Sequence, residues 1–177
     1  MRRFDAQLRS MALWDEAWCI RFNHAAAIPW VCALFRTASR LGDGIFWYTL
    51  MAGLLIVGGA RAVPAVTRMA VVAAVGIAVY KWLKSRTLRP RPYQVQAAIH
   101  LGADPLDAFS FPSGHTLHAV SFSILIGVYY PSLLGLVVPF ALLVAASRLV
   151  LGLHYPSDVL AGGAIGAVLA LCSFAFV

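Results

Sequence analysis

The sequence predicts an all-α fold, a polytopic membrane helix bundle of about six transmembrane helices with an N-terminal interfacial helix. Hydrophobic residues make up 61% of the 177 positions and charged residues 12%, whereas soluble domains are about 25% charged. Apolar runs of near-bilayer length also recur along the chain, and a crossing helix needs about 20 predominantly apolar residues. We therefore expect residues 1–177 to form a single membrane-embedded domain, with a buried soluble helical protein as the alternative.

Three spans are predicted in the first half of the chain, behind an N-terminal helix. Residues 1–23 alternate charges with Leu, Met and Trp, which is typical of an amphipathic helix in the membrane interface. The spans are expected near 25–41, over 45–60 after a Leu-Gly-Asp-Gly turn, and near 69–83. An Arg-Pro-Arg-Pro run then ends the third span, because proline lacks an N–H and restricts the residue before it.

Three further spans are predicted in the second half. Residues 93–112 are too polar to span and are expected to form a loop over the site. Residues 108–147 contain no Asp, Glu, Lys or Arg and are long enough for two crossings, with a break at 129–132. Residues 159–177 form the last span, where Gly162 and Gly166 present a small-residue packing face. Antiparallel neighbours would bring the end of the third span, the start of the fourth and the join of the last two to one membrane face.

The residues at those three places are suited to phosphate chemistry. Ionisable groups in or beside membrane spans are costly and indicate function. Lys84 and Arg91 occur in the pattern Lys-x6-Arg-Pro. Lysine supplies a compact charge and arginine a two-pronged donor, and both suit a phosphate. Arg148 adds a third cation.

A second group, Pro-Ser-Gly-His at 112–115, precedes a long apolar run. Ser113 is a good helix N-cap, and Gly114 permits close approach of the backbone. The free N–H groups of a helix N-terminus favour an anion. His115, in the first turn, is placed to exchange a proton with a bound group, whereas His118 is expected to be structural.

The third group contains His154 and Asp158, which would be neighbours at i and i+4 if the segment is helical. A carboxylate on one imidazole nitrogen fixes the tautomer and leaves the other free to act as nucleophile or base. We expect His154 to attack a phosphoryl group and His115 to protonate the leaving oxygen, while the cations stabilise charge. A zinc site is the alternative, but the three cations would repel the ion, so no metal or other cofactor is expected.

The sequence closely resembles the type 2 phosphatidic acid phosphatase superfamily, lipid phosphatases that share their site with vanadium haloperoxidases and glucose-6-phosphatase. The three-part signature of that family matches without a gap at Lys84 to Pro92, Pro112 to His115 and Ser147 to Asp158. The resemblance implies that His154 forms a phosphohistidine supported by Asp158, and that His115 is the general acid and later activates water. It also implies metal-free phosphate binding by Lys84, Arg91, Ser113, Gly114 and Arg148.

The expected function is therefore metal-independent hydrolysis of a membrane lipid phosphate or diphosphate. Undecaprenyl diphosphate is slightly preferred over phosphatidylglycerophosphate, phosphatidate and lipid A phosphates, because the loop would form only a modest headgroup lid. The alternative of another class is a non-catalytic lipid-phosphate binder or transporter, and a structural membrane subunit would leave the buried charges unexplained. The expected partners are the lipid substrate and the bilayer. Nucleic acid is excluded because bilayer-length apolar runs flank the basic cluster, and the sequence predicts no oligomeric state.

The expected location is the cytoplasmic (inner) membrane of a bacterium, and the resemblance implies a site that faces the periplasm or exterior. The charge pattern gives a mild preference in the same direction. With the catalytic bases set aside, the N-terminus and the link at 61–68 carry five arginines. Both are expected on the face opposite the site, so the positive-inside rule favours a cytoplasmic N-terminus.

Overall fold

The fold was examined in a computed structural model, which describes residues 2–175. The described chain is helical, with short 3-10 turns and one π-helical turn, Leu41–Ile45, between helices. The helices are α1 (Arg2–Asn23), α2 (Pro29–Arg40), α3 (Phe46–Gly58), α4 (Val63–Thr87), α5 (Pro92–Val95), α6 (Gly114–Tyr129), α7 (Leu134–Val150) and α8 (Pro156–Ser173).

The three sequence motifs meet at one end of the bundle, which we call the motif end. The C-termini of α4 and α7 and the N-termini of α6 and α8 lie there. Backbone hydrogen bonds join them: the Ser113 N–H donates to the Asp158 carbonyl at 3.0 Å, and the Ser110 N–H donates to the Arg89 carbonyl at 2.9 Å. At the opposite end, the Arg68 guanidinium donates to the Ser173 carbonyl at 2.7 Å. The three motifs therefore lie together at one end of the bundle, as the sequence predicted.

The predicted first span, near 25–41, corresponds to α2. α2 has only 12 residues, about 18 Å of helix, and its side chains contact the motif end. The Arg36 guanidinium donates to the Gly102 carbonyl at 2.8 Å, and Ser39 accepts a hydrogen bond from Arg148. α2 is thus anchored at the motif end, and the expected count of about six transmembrane helices stays a prediction.

The N-terminal helix also lies at the motif end, so its expected placement on the face opposite the site is wrong. Asp15 accepts hydrogen bonds from the Ser157 N–H at 2.9 Å and from the Ser157 hydroxyl. Asn23 donates to the carbonyls of His100 and Val150, both at 2.9 Å. The prediction failed because two polar residues of α1, Asp15 and Asn23, are buried and bind partners that are distant in sequence.

Three stretches of the described chain have the length and apolar composition to cross a membrane. They are Pro29–Val95, which contains α3 and α4 joined by a 3-10 turn, then Pro131–Val150 and Pro156–Ser173. Large apolar side chains face outward along these helices, for example Val57 at 90% and Leu142 at 66% exposure. Such outward-facing apolar surface is what lipid contact requires.

Close packing of α6 against α8 fixes the geometry of the motif end. A Cβ added at Gly162 would lie 2.4 Å from the Ser113 carbonyl oxygen, and one added at Gly166 would lie 2.2 Å from that of Leu117. The predicted Gly162 and Gly166 packing face is therefore confirmed. Since lipid supplies no hydrophobic drive between helices, this contact depends on the backbones coming together at small residues.

The join between α2 and α3 is a π-helical turn that carries an acidic side chain to the motif end. Gly44 has φ = 137°, a conformation that side chains of L-residues rarely adopt. The chain can therefore change direction here without a full loop. Asp43, just before Gly44, then lies over the start of α6.

Candidate active site

A cavity of about 330 Å³ opens at the motif end, and residues of all three motifs line it. Of the eight residues predicted from the sequence, six line the cavity: Lys84, Arg91, Gly114, His115, Arg148 and His154. The other two, Ser113 and Asp158, are fully buried directly behind it. The helix ends described above thus bring together residues that are up to 74 positions apart in sequence.

Lys84 and Arg91 already hold an anionic group, the carboxylate of Asp107. The Lys84 ammonium donates to Oδ1 and Oδ2 of Asp107 at 2.7 and 2.8 Å, and to the Phe109 carbonyl at 2.8 Å. The Arg91 guanidinium donates to Asp107 Oδ1 at 2.8 Å. It also donates to the Leu153 carbonyl at 2.8 Å, which fixes its plane against the His154 loop.

The pKa of Asp107 indicates that this cavity stabilises negative charge. Burial alone would raise the pKa of Asp107, but its hydrogen bonds and charge interactions with Lys84 and Arg91 outweigh burial and lower the pKa below its usual value. Two buried cations, with 6% and 1% exposure, therefore stabilise one negative charge between them. The same donors suit a phosphate, which is also anionic and offers more oxygen acceptors.

Arg148 provides donors that the protein itself does not use. It is 2% exposed, and one of its terminal nitrogens donates to the Ser39 hydroxyl. Its Nε is buried with no hydrogen-bond partner among the described residues. A buried guanidinium with an unused donor is costly, and an anion in the adjacent cavity would satisfy it.

The start of α6 is capped as the sequence predicts. The Ser113 hydroxyl accepts from the Thr116 N–H at 3.5 Å, and Gly114 is the first helical residue. The Cβ that Gly114 lacks would lie 3.3 Å from the Tyr80 ring, so the glycine allows α4 and α6 to approach closely. The Nδ1 and Nε2 atoms of His118 lie 3.0 and 3.3 Å from the Gly114 and Ala73 carbonyl oxygens, which accept from whichever ring nitrogen carries a proton, as expected of a structural residue.

His115 pairs with Asp43, a partner that the sequence analysis missed. Its Nε2 forms a hydrogen-bonded ion pair with the Asp43 carboxylate of the π-helical turn. The sequence analysis treated Asp43 only as part of a turn and gave a carboxylate partner only to His154. The available signal was an acidic residue between two apolar helices, since ionisable groups at such positions indicate function.

His154 lies at the floor of the cavity, with 1% exposure. Its Nε2 is 3.3 Å from the Arg91 guanidinium, and its Nδ1 is 3.6 Å from Asp158 Oδ2. The second distance is too long for a hydrogen bond, and Nδ1 has no other partner among the described residues. The predicted i to i+4 pair is thus adjacent, with the carboxylate facing the correct ring nitrogen.

Asp158 is held in place by two hydrogen-bond donors. Its Oδ2 accepts the Tyr155 N–H at 2.8 Å, and its Oδ1 accepts Arg89 at 2.7 Å. Arg89 in turn donates to Asp15 of α1 at 2.8 Å. Sequence reasoning missed both Arg89 and Asp15, because neither falls inside a recognised motif position.

The electrostatic surroundings keep His154 neutral. Burial, followed by the positive charges of Arg148, Arg91 and Lys84, lowers the pKa of His154 well below its ordinary value. A neutral imidazole has a free lone pair, which nucleophilic attack requires. The cavity therefore combines an anion site, a neutral histidine and a second histidine paired with a carboxylate.

Comparison with protein families finds a match to the PAP2 superfamily over residues 65–177. The decaprenylphosphoryl-5-phosphoribose phosphatase of Mycobacterium tuberculosis (strain CDC 1551 / Oshkosh) is 34% identical over 145 residues, which are 78% of this chain and 76% of the relative. The Mycolicibacterium smegmatis protein of the same name is 39% identical over 84 residues, 45% of this chain and 42% of the relative.

Two solved structures share the fold. A transmembrane PAP2-type phosphatidylglycerolphosphate phosphatase from Bacillus subtilis superposes with a TM-score of 0.71 at 25% identity, covering 94% of this chain and 86% of its own. LpxE from Aquifex aeolicus superposes with a TM-score of 0.69 at 23% identity, covering 88% of this chain and 93% of its own. Both likenesses extend across the helices that carry the cavity.

Proposed function

The chain belongs to the PAP2 superfamily and is a multi-pass membrane lipid phosphatase, and we propose that it cleaves its substrate through a phosphohistidine at His154. The observation that carries the proposal is the single cavity in which Lys84, Arg91 and Arg148 surround a neutral His154. The substrate phosphate replaces the Asp107 carboxylate at the cations. The three cations then stabilise the charge that builds on the phosphoryl oxygens in the transition state.

The first step transfers the phosphoryl group to the protein. His154 Nε2 attacks phosphorus, the bond between phosphorus and the leaving oxygen breaks, and His115 donates a proton to that oxygen. Asp158 stabilises the positive charge that forms on His154, and Ser113 and Gly114 bind the phosphate at the N-terminus of α6. In the second step, His115 takes a proton from water as the water attacks phosphorus, which frees His154 and inorganic phosphate.

We propose a polyprenyl-linked phosphate as the substrate. The mycobacterial relatives are named for decaprenylphosphoryl-5-phosphoribose, whose 5-phosphate is a monoester on a lipid-linked sugar. That compound is our first candidate, and undecaprenyl diphosphate, the choice from sequence, is the second. In this proposal residues 1–177 form one domain in a bacterial cytoplasmic membrane, with residues 1–23 in the interface and the 93–112 loop over the site.

The exposed positive charges support a site that faces the cytoplasm. At the motif end, the exposed bases are Arg21, Arg36, Arg40, Lys81 and Arg86. At the opposite end of the described chain, Arg61 is exposed and Arg68 is buried. Because short cytoplasmic segments carry the excess of Lys and Arg, this distribution favours a cytoplasmic motif end, whereas the family resemblance implies an external site.

The test is phosphate release by the purified protein in detergent from four substrates: decaprenylphosphoryl-5-phosphoribose, undecaprenyl diphosphate, phosphatidylglycerophosphate and phosphatidate. We expect the highest kcat/KM with a polyprenyl substrate, unchanged rates in EDTA, and no activity in His154→Ala. Loss of activity in EDTA, restored by zinc, would contradict the metal-free mechanism. A preference for phosphatidate would contradict the polyprenyl assignment.

A further inference from the structure

We infer that Asp43 is the positioning residue for the general acid, holding the His115 ring so that its proton is delivered to the leaving oxygen. The inference rests on the proposed function and adds a residue outside the three motifs. Asp43 is carried by the π-helical turn between α2 and α3, and its carboxylate pairs with His115 Nε2. This pairing leaves Nδ1 of the same ring for the reacting group.

The need for such a residue follows from the charges around His115. Arg148 of α7 approaches it from one side, and the cationic groups Lys81, Lys84 and Arg91 line the same cavity. The remaining titratable groups around the cavity are His118, His154, Tyr48, Tyr80 and Asp107. Neighbouring positive charges oppose an imidazolium, whereas a carboxylate in contact with the ring favours it. Since Asp107 is engaged by Lys84 and Arg91, Asp43 is the acidic side chain available to His115.

The two histidines of the site thus have contrasting carboxylate partners. Asp158 is shared with Arg89 and lies 3.6 Å from His154, which suits a neutral nucleophile. Asp43 pairs with His115 and contacts no arginine or lysine among the described residues. The carboxylate of Asp43 therefore orients the His115 ring through a direct contact, whereas Asp158 lies beside the His154 ring without a hydrogen bond to it.

The local backbone supports a specific placement of Asp43. Gly42 packs against α7, where a Cβ would lie 2.9 Å from Val144, and Gly44 has φ = 137°. Both flanking positions therefore favour glycine, one for close approach and the other for its conformation. The turn holds the carboxylate between α7 and the start of α6, where the proton transfer takes place.

In the first step, as the bond from phosphorus to the leaving oxygen breaks, the His115 proton moves to that oxygen and Asp43 keeps its own charge. In the second step, His115 takes a proton from the attacking water, and its imidazolium is again paired with Asp43. Asp43 exchanges no proton and touches no substrate atom. Its removal should therefore affect only steps that require proton transfer by His115.

The test compares two leaving groups in Asp43→Asn. An alkyl phosphate lipid needs protonation of its leaving oxygen, whereas p-nitrophenyl phosphate releases a stable phenolate with little need for an acid. We measure kcat/KM, which reports phosphoryl transfer up to departure of the leaving group. General acid catalysis contributes about 10²–10⁴-fold, and the partner that orients the acid supplies part of it. We therefore expect a loss of about 10–100-fold with the alkyl phosphate and of less than about 3-fold with p-nitrophenyl phosphate.

The ratio of the two kcat/KM values is independent of the fraction of folded enzyme, so partial misfolding cannot produce the expected result. Asp104→Asn is the matched control, because Asp104 is exposed and makes no hydrogen bond or ion pair among the described residues. Asp43→Glu should restore part of the alkyl phosphate activity. In His115→Ala, adding Asp43→Asn should cause no further loss, since the two act as one unit.

Equal losses with both substrates, or no loss with either, would overturn the role of Asp43. Those results leave the proposed function intact, because the wild-type enzyme would still hydrolyse the lipid. If the wild-type enzyme hydrolyses neither substrate, the proposed function itself fails. The two failures are therefore distinguishable within one set of measurements.

Discussion

Asp107→Asn should make the phosphate site bind inorganic phosphate more tightly. In the unliganded protein, the Asp107 carboxylate occupies the donors of Lys84 and Arg91 through contacts of 2.7 to 2.8 Å. A phosphate must displace this internal anion before it can bind. The variant replaces a charged competitor by a neutral one and leaves both cations in place.

The expected size of the effect follows from these contacts. Hydrogen bonds to charged groups contribute about 1.5–3 kcal/mol each, but the Asp107 side chain is 38% exposed and solvent screens such pairs strongly. We therefore take about 1–2 kcal/mol as the net cost of displacing the carboxylate. That cost corresponds to a roughly 5–30-fold lower inhibition constant for phosphate.

The assay measures product inhibition by inorganic phosphate with p-nitrophenyl phosphate as substrate. Asp104→Asn makes the same change of charge on the same loop without touching the cations, so its inhibition constant should match that of the wild type. An unchanged or higher inhibition constant in Asp107→Asn would refute the reasoning. A higher value would instead mean that Asp107 orients the two cations for phosphate.

The remaining predictions concern packing, electrostatics, the N-terminal helix and membrane sidedness. Gly162→Ala places a Cβ 2.4 Å from the carbonyl oxygen of Ser113, the N-cap of α6, and should lower both the unfolding temperature and the activity. Gly163→Ala is the control, because its Cβ would make contacts of 3.6 Å or more, and it should change neither. Arg148→Ala removes a positive charge that lowers the pKa of His154. The pKa of His154 should therefore rise, and the acid limb of the kcat/KM profile should move to higher pH. An acid limb that stays in place or moves to lower pH would contradict this. Asp15→Asn breaks the link between α1 and α8 and should cost about 1–3 kcal/mol in thermal or denaturant unfolding, and an unchanged stability would show that the link is dispensable. A C-terminal alkaline phosphatase fusion should be active and a C-terminal green fluorescent protein fusion dark, because α8 ends opposite the motif end; the reverse pattern would place the site outside.

The sequence predicted most of the site because phosphate chemistry restricts which residue types can serve it. Lys84, Arg91 and Arg148 are cations, and Ser113 caps a helix, so each could be assigned from its own chemistry and spacing. His154 and Asp158 were also expected to be neighbours from their spacing of four residues, and they are, although His154 lies in the loop before α8, which begins at Pro156. Local rules of this kind need no tertiary information.

The contacts that the sequence did not predict all join distant segments. Asp43 meets His115 across 72 positions, and Asp15 meets Ser157 across 142. No helical period links such residues, and their pairing depends on how α1 and α2 fold back onto the motif end. The same reason applies to the first predicted span, because the apolar composition of 25–41 could not show that Arg36 and Ser39 of α2 bind partners at the motif end.

The most direct test of the central claim is to trap and map the covalent intermediate. The protein is mixed with a substrate carrying radiolabelled phosphate, quenched in base within the first turnovers, digested, and the labelled peptide is sequenced. We predict a base-stable, acid-labile label on His154 that is absent in His154→Ala and accumulates in His115→Ala with p-nitrophenyl phosphate, because water is then not activated. A label on another residue, or turnover by His154→Ala at the wild-type rate, would contradict the account.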